Sequence, residues 1–315
     1  MASAAWPRVA VVGAGAVGGY FGGMLARAGA NVTLIGRPVH VEIWKRDGLF
    51  LDAPTFQGNI PVAASTDVAA AADAELVLFC VKSPDTEEAA RQLARHARAE
   101  ALIVSLQNGV DNVARIRTAA ALDPIAAAVY VASSMPAPGR VKHGARGDLL
   151  IGDLPGRTDP PREAALARVS AWFEAAGVPC PVSPDIEADL WVKLITNVAL
   201  NAISAVAHVT YANIVRLPES RETVRQLVNE CVAVARAGGV ALPAIDFVEM
   251  LWAFSEKVGQ VYSSTSQDLE RGKRTEIDAL NGFVVRRGAE LGVPTPVNQS
   301  LLALVKLREA QFARV

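Results

Sequence analysis

Val9-Ala10-Val11-Val12-Gly13-Ala14-Gly15-Ala16-Val17-Gly18 sets three glycines in the spacing G-x-G-x-x-G directly after a short apolar run. An alanine- and glycine-rich stretch follows, and Asn31-Val32-Thr33-Leu34-Ile35 reads as the next strand. The glycine spacing alone is a weak signal. Strand, turn, helix and second strand in this order are the context that gives it meaning. The first glycine permits a tight turn, the second lets a pyrophosphate approach the backbone, and the third lets helix pack on strand. The start of the helix offers N–H groups that have no intrahelical partner to the anion. Gly13, Ala14, Gly15, Ala16, Val17 and Gly18 are therefore expected to hold the pyrophosphate of a dinucleotide.

The end of the second strand distinguishes the two nicotinamide dinucleotides. A site for NAD usually places Asp or Glu there, bonded to the ribose 2′-OH. This chain reads Leu34-Ile35-Gly36-Arg37. No carboxylate repels a 2′-phosphate, and the planar fork of Arg37 suits one. The expected cofactor is NADPH. Lys82, just after the strand pattern Leu76 to Val81, is placed to add charge near cofactor or substrate.

Working outward, Leu102 to Leu106 and Ile125 to Val131 are further apolar strand patterns, and Gly139 to Gly152 reads as an antiparallel extension. Strands of this kind separated by helices indicate a mostly parallel sheet covered on both faces. Arg157-Thr158-Asp159-Pro160-Pro161 reads as a surface loop. The pattern changes near Pro181-Val182-Ser183-Pro184, and beyond it residues 186–208, 219–238, 244–262 and 275–291 read as helices with no strand between them. The expected organisation is an α/β dinucleotide-binding domain over 1–183 and an all-helical domain over 184–315.

Composition narrows the function classes. With Lys+Arg 31 against Asp+Glu 32 the formal charge is −1, and no basic stripe points to nucleic acid or an anionic membrane surface. Three scattered cysteines, Cys80, Cys180 and Cys231, form no C-x-x-C pair and no disulfide framework, which fits a reducing, cytoplasmic compartment. The start of the chain lacks a basic stretch ahead of a signal-like apolar core, and no unbroken apolar run is long enough to suggest a membrane span. No His/Cys/carboxylate cluster suits a metal.

Trp191-Val192-Lys193-Leu194-Ile195-Thr196-Asn197-Val198-Ala199-Leu200-Asn201 holds the second chemical signal. Lys193, Asn197 and Asn201 are spaced i, i+4, i+8 and share one helix face. Asn is a poor helix former, so two of them in an apolar helix suggest a lined pocket whose amides both donate and accept. An ordinary solvated stripe, with Asp189 and Lys193 as an i,i+4 pair, is the competing reading. Downstream, Arg274-Thr275-Glu276-Ile277-Asp278-Ala279-Leu280-Asn281-Gly282 reads as a capped helix start, with Thr275 and Asp278 as a variant capping box and Glu276 as a first-turn acid. Gly282 points to close packing.

The ordered set G-x-G-x-x-G, Val81-Lys82-Ser83, Gln107-Asn108-Gly109, W-x-K-L-x-x-N-x-x-x-N and Thr-Glu-Ile-Asp-x-x-Asn-Gly resembles the ketopantoate reductases (2-dehydropantoate 2-reductases) from about residue 8 to 305. The resemblance implies a Rossmann domain joined to a helical domain like the C-terminal part of the 6-phosphogluconate dehydrogenase superfamily, with the site in the cleft between them. It implies an NADP-dependent oxidoreductase that reduces 2-dehydropantoate to D-pantoate on the way to pantothenate and coenzyme A. Lys193 matches the catalytic lysine and Glu276 the acid that completes the substrate site. Asn108, Asn197 and Asn201 match polar groups around nicotinamide and substrate, and Ser264 matches a serine that binds the substrate carboxylate. The partner is a small 2-oxo acid, with a homodimer left open as the assembly.

Two departures lie near the substrate positions. The family often continues after the asparagine helix with an Asn-Gly-Glu-like turn; the nearest stretch here, Tyr211-Ala212-Asn213-Ile214, is displaced by about two positions, so the part played by Asn213 stays open. Family members also often have Met after the matched serine, where this chain has Thr265. Another branched 2-oxo acid such as 2-oxoisovalerate is therefore an alternative substrate. A non-catalytic NADP(H)-binding sensor would lack the lysine or the glutamate, and both are present. A sugar- or polyol-phosphate dehydrogenase would gather several basic residues on the phosphate, which the asparagine-rich face does not offer.

Overall fold

The computed structural model describes residues 6–155 and 159–312. It divides into two compact units. One holds the chain up to Gln107 and Asp111–Ile186, the other Asn108–Val110 and the chain from Glu187 on.

The first unit alternates strands and helices: β1 (Arg8–Val12), α1 (Ala16–Arg27), β2 (Asn31–Ile35), α2 (Pro38–Asp47), β3 (Leu49–Ala53), β4 (Phe56–Ile60), β5 (Ala63–Ser65), β6 (Leu76–Phe79), α3 (Thr86–Ala94), β7 (Leu102–Ser105), α4 (Asn112–Ala120), β8 (Ile125–Ala137), β9 (Arg140–Gly152) and α5 (Pro160–Ala175). The strands form one sheet in the order β4-β3-β9-β8-β7-β6-β1-β2-β5. From β5 to β8 every neighbouring pair is parallel. Counted along the chain these strands run 3-2-1-4-5-6, the doubly wound dinucleotide-binding order. β9 then pairs antiparallel with β8, as the glycine-bounded segment suggested, and carries β3 and β4 at its far edge.

α1 is buried along its length because its glycines admit the sheet closely. A Cβ on Gly18 or Gly22 would stand 2.7 or 2.8 Å from a methyl of Val11, and one on Gly19 or Gly23 2.7 Å from Val141 or 2.8 Å from Leu49. Phe21, Leu25, Val11, Leu34 and Leu78 meet in the core below it.

Several boundaries differ from the sequence reading. Phe79 is the last residue of β6, although Cys80 N still donates to Val12 O at 2.8 Å. Of the loop expected at Arg157–Pro161, Arg157 and Thr158 lie outside the described residues. Asp159 caps α5, accepting from Arg162 N at 3.0 Å, and Pro160 opens it. Proline suits a first helical position, where its missing N–H is not needed. Pro181–Ser183 stays on the sheet: Ile151 N donates to Pro181 O and Ser183 N to Ile151 O.

The second unit is helical: α6 (Ile186–Ala207), α7 (Tyr211–Ile214), α8 (Pro218–Ala237), α9 (Phe247–Val258), α10 (Ser264–Glu270), α11 (Asn281–Leu291) and α12 (Pro296–Phe312). α6 is its central helix, with Leu194, Ile195, Val198, Ala199 and Leu200 packed among α8, α9 and α11. By length and composition alone it could cross a membrane, but 61% of its most apolar window is buried inside the protein. α9 is shorter than the expected 244–262. Asp246 caps its start, and Gly259, at φ +67°, ends it.

The helix expected over 275–291 is broken. Thr275 Oγ1 accepts from Ile277 N at 3.2 Å and starts a 3₁₀ turn, Ile277–Ala279, rather than an α-helix. Leu280 (φ −105°, ψ −103°) is outside the helical region, and α11 begins only at Asn281. Glu276 is therefore not a first-turn helix acid, and Asp278 pairs with Lys306 and Arg274 instead of completing a capping box. The close packing expected at Gly282 is present: a Cβ there would meet Ile277 O at 3.2 Å.

Candidate functional site

At the end of β1, Gly13 adopts φ +83°, and a Cβ there would lie 2.6 Å from Val81 N, so only glycine fits. The N–H groups of Gly13 and Ala14 both donate to Ile35 O, which ties the turn to the end of β2. Gly15 is the N-cap of α1 and is exposed, and a Cβ there would meet Gly13 O only in ordinary contact, at 3.9 Å. The first intrahelical bond at this end runs from Gly19 N to Gly15 O. The N–H groups of Ala16, Val17 and Gly18 precede it and have no helical partner. No acidic side chain occupies this first turn. The local field is that of an anion site, and the cradle is one that added side chains would fill.

Gly36 follows β2, with its N–H on Ser65 O at 3.1 Å and the buried Trp44 ring beneath it. Arg37 is the exposed N-cap of α2, and its guanidinium makes no hydrogen bond or ion pair among the described residues. Lys82 is half-buried at the start of a 3₁₀ turn, Ser83–Asp85, beyond β6. The next exit, after β7, is fixed by a buried amide. Gln107 Nε2 donates to Val81 O at 3.0 Å and to Thr86 Oγ1 at 2.7 Å, and its Oε1 accepts from Ser105 Oγ at 3.1 Å. That role for Gln107 was not read from the sequence, where it stood only as a neighbour of Asn108.

The helical unit carries the remaining residues. Asn108 Nδ2 donates to Glu276 Oε2 at 3.2 Å, so two positions matched separately in the sequence form one pair. Lys193 and Asn197 are half-buried on α6. The side-chain amide of Asn197 makes no hydrogen bond among the described residues. Asn201, one turn further, is 3% exposed, and its Oδ1 accepts from Tyr211 OH at 2.9 Å. The 276–281 turn is pinned to the same helix, because Asn281 Nδ2 donates to Val198 O at 3.2 Å.

Ser264 is exposed at the first position of α10, and the buried residue before it anchors that helix. Ser263 Oγ donates to Asn201 O at 3.1 Å and accepts from Ser266 N at 3.0 Å. The start of α10, which carries Ser264, is thereby tied to the Asn201 backbone. Asn213, by contrast, turns a buried amide oxygen inward. Tyr211 and Ser263 were missed from the sequence. A serine before a short polar run is a cap signal that could have found Ser263, but no local signal marks the contact of Tyr211.

The description Ketopantoate reductase PanE/ApbA matches residues 9–156, and its C-terminal counterpart matches residues 185–309. A 2-dehydropantoate 2-reductase of Halobacterium salinarum is 33% identical over 305 residues, covering 96% of this chain and 99% of that one. The chain belongs to the ketopantoate reductase family. It is an oxidoreductase with an N-terminal Rossmann domain and a helical C-terminal region. The crystal structure of a PanE/ApbA family ketopantoate reductase from Ralstonia eutropha JMP134 is similar at a TM-score of 0.90 and 45% identity, covering 98% of this chain and 100% of that one. A D-mandelate dehydrogenase solved with NADH and anilino(oxo)acetate shares the fold, at TM-score 0.88 and 24% identity over 97% of this chain and 99% of that one.

Proposed function

We propose that this protein reduces 2-dehydropantoate to D-pantoate with NADPH, in the cytoplasm, in the sequence that leads to pantothenate and coenzyme A. The observation that carries this reading is the polar face of α6. It holds Lys193, an amide at Asn197 with no hydrogen-bond partner among the described residues, and Asn201, on a helix otherwise packed in apolar surroundings. Such a face serves an anionic, hydroxyl-bearing small molecule, since its groups are donors or amides.

NADPH fits the first unit. The glycine cradle and the N–H groups of α1 suit its pyrophosphate, and the unengaged guanidinium of Arg37 suits its 2′-phosphate. Bound there, it supplies the hydride for C2 of the oxo acid. Lys193 stabilises the negative charge that grows on the carbonyl oxygen and then gives up a proton to it. Glu276, held by Asn108, positions substrate or lysine. Its own charge would repel the forming alkoxide, so it is not the main acid. Asn197, Asn201 and Ser264 receive the carboxylate and hydroxyl groups, and Lys82 adds positive charge.

Tyr211 and the inward-turned Asn213 stand near, but displaced from, the place where the family often has an Asn-Gly-Glu-like turn, and this favours a second reading, the same chemistry on another branched 2-oxo acid. Steady-state kinetics with NADPH and with NADH, on 2-dehydropantoate and on 2-oxoisovalerate, tests both. The expected result is higher kcat/KM with NADPH than with NADH, and with 2-dehydropantoate than with 2-oxoisovalerate. Reversal of the substrate order supports the second reading, and failure to consume either cofactor with any 2-oxo acid contradicts both.

A further inference from the structure

We propose that Tyr211 fixes the Asn201 amide as a hydrogen-bond donor to the substrate carboxylate and so sets a preference for 2-oxo acids over their neutral esters. The inference rests on the reading of the α6 face given above. It starts from one contact, Tyr211 OH to Asn201 Oδ1 at 2.9 Å. A primary amide has a donor end and an acceptor end, and its neighbours determine which end is spent. Tyr211 OH has no other partner among the described residues, so its proton has one acceptor within reach, Asn201 Oδ1. Turning the amide over would set Nδ2 against the hydroxyl and leave the phenol proton buried and unpaired, the costlier arrangement. Burial also raises the pKa of the phenol, so it keeps that proton.

The acceptor end of Asn201 is thereby consumed. Its Nδ2 has no partner among the described residues and is not sealed from the surface. One turn away Asn197 offers a second amide, and two turns away Lys193 offers only N–H donors. With Asn201 committed, the face becomes richer in donors, which suits an anion and gives a neutral ester less.

The ring that imposes this is itself held. Tyr211 N donates to Val261 O at 3.0 Å, Ala212 N donates to Gly259 O at 3.1 Å, and Phe254 lies 5.8 Å from the Tyr211 ring centre. The Asn201 backbone is fixed from the other side by Ser263 Oγ. Neither end of the contact can drift to a new partner without breaking a bond of its own.

The test compares kcat/KM for 2-oxoisovalerate with kcat/KM for its methyl ester, in the unmodified enzyme and in Tyr211→Phe, Asn201→Ala and the double variant. Tyr211→Phe should lower the acid-to-ester ratio by about tenfold, the scale of one hydrogen bond to a charged group. The loss should appear in KM for the acid more than in kcat, with NADPH affinity unchanged. In the Asn201→Ala background the tyrosine change should have no further effect, because it acts through that amide. Equal losses on acid and ester, or additive losses in the double variant, overturn the inference and leave Tyr211 a packing residue. If the unmodified enzyme reduces no 2-oxo acid, the functional reading fails and this inference falls with it. If Tyr211→Phe does not fold, Asn201→Ala against Asn201→Gln still decides: the glutamine should not restore the ratio, since its longer amide cannot keep the phenol contact, and full rescue overturns the inference.

Discussion

Lys193 and Glu276 bear different loads in this account, and their variants should separate them. Lys193→Ala should reduce kcat by about 10²–10⁴-fold, the range for a positioned acid, while NADPH affinity measured by fluorescence stays nearly constant. Near-normal kcat in that variant would falsify the role given to Lys193. Glu276→Ala removes a carboxylate already held by Asn108 at 3.2 Å, so KM should rise at least as clearly as kcat falls. Arg37→Ala should weaken NADPH binding by about 1–3 kcal/mol, the scale of charged hydrogen bonds, and leave NADH binding nearly unchanged; calorimetric titration of both cofactors checks this. At this scale the sequence was informative where spacing did the work. Lys193, Asn197 and Asn201 share a face by helical period alone. The Asn108–Glu276 pair spans 168 positions, and the phenol of Tyr211 reaches back from a separate short helix; no local pattern encodes either contact.

α1 shows how a whole element depends on residues without side chains. In an ordinary helix Gly→Ala is favourable by roughly 1 kcal/mol. At Gly18 the new methyl would stand 2.7 Å from Val11 Cγ1 and 3.1 Å from Cys80 Cβ, and forcing it in costs about 1–3 kcal/mol. Gly18→Ala should therefore lower the urea midpoint, and an unchanged or higher midpoint would show that α1 can move away from β1. α3 and α4 are joined differently. Arg115 grips Glu87 through Nε and Nη2 at 2.7 and 2.8 Å and reaches Ser83 O with Nη2 at 2.7 Å. The hydrogen bonds from Arg115 hold the Glu87 carboxyl below the usual glutamate pKa. Because the folded value is the lower one, this contribution is complete above the ordinary glutamate range and is lost as pH falls through the lowered value. The pair is partly exposed, so it is worth about 0.5–1 kcal/mol at most. Glu87→Gln should thus reduce stability at pH 7, and the gap to the parent should narrow on acidification; a gap that does not change with pH contradicts the ionic account.

The elements themselves were legible to different degrees. β1, β2, β6, β7 and β8 announce themselves as apolar runs because both faces of a parallel sheet are covered. β3, β4 and β5 do not. They lie toward the sheet edges, β5 has only three residues, and Phe56-Gln57-Gly58-Asn59-Ile60 has too few apolar residues to read as a strand. Residues 275–291 looked like one helix because the apolar spacing runs on through Leu280, whose backbone departs from it. α12 escaped notice since the polar residues in it interrupt its apolar face.

At the scale of the molecule, two units with separate chemistry are joined in one chain: a nine-stranded sheet whose glycine turn suits a dinucleotide, and a helical unit whose central helix presents a lysine and two amides. Membership of the ketopantoate reductase family is consistent with each, since the matches run through both units. The functional claim is that the two act in one reaction, hydride transfer from NADPH to C2 of 2-dehydropantoate. The most direct measurement supplies NADPH deuterated at the transferable C4 position and follows the product by mass spectrometry. D-pantoate carrying one deuterium at C2 is expected, formed in one-to-one ratio with the NADPH consumed. Unlabelled pantoate, or NADPH left intact beside 2-dehydropantoate and active enzyme, would contradict it.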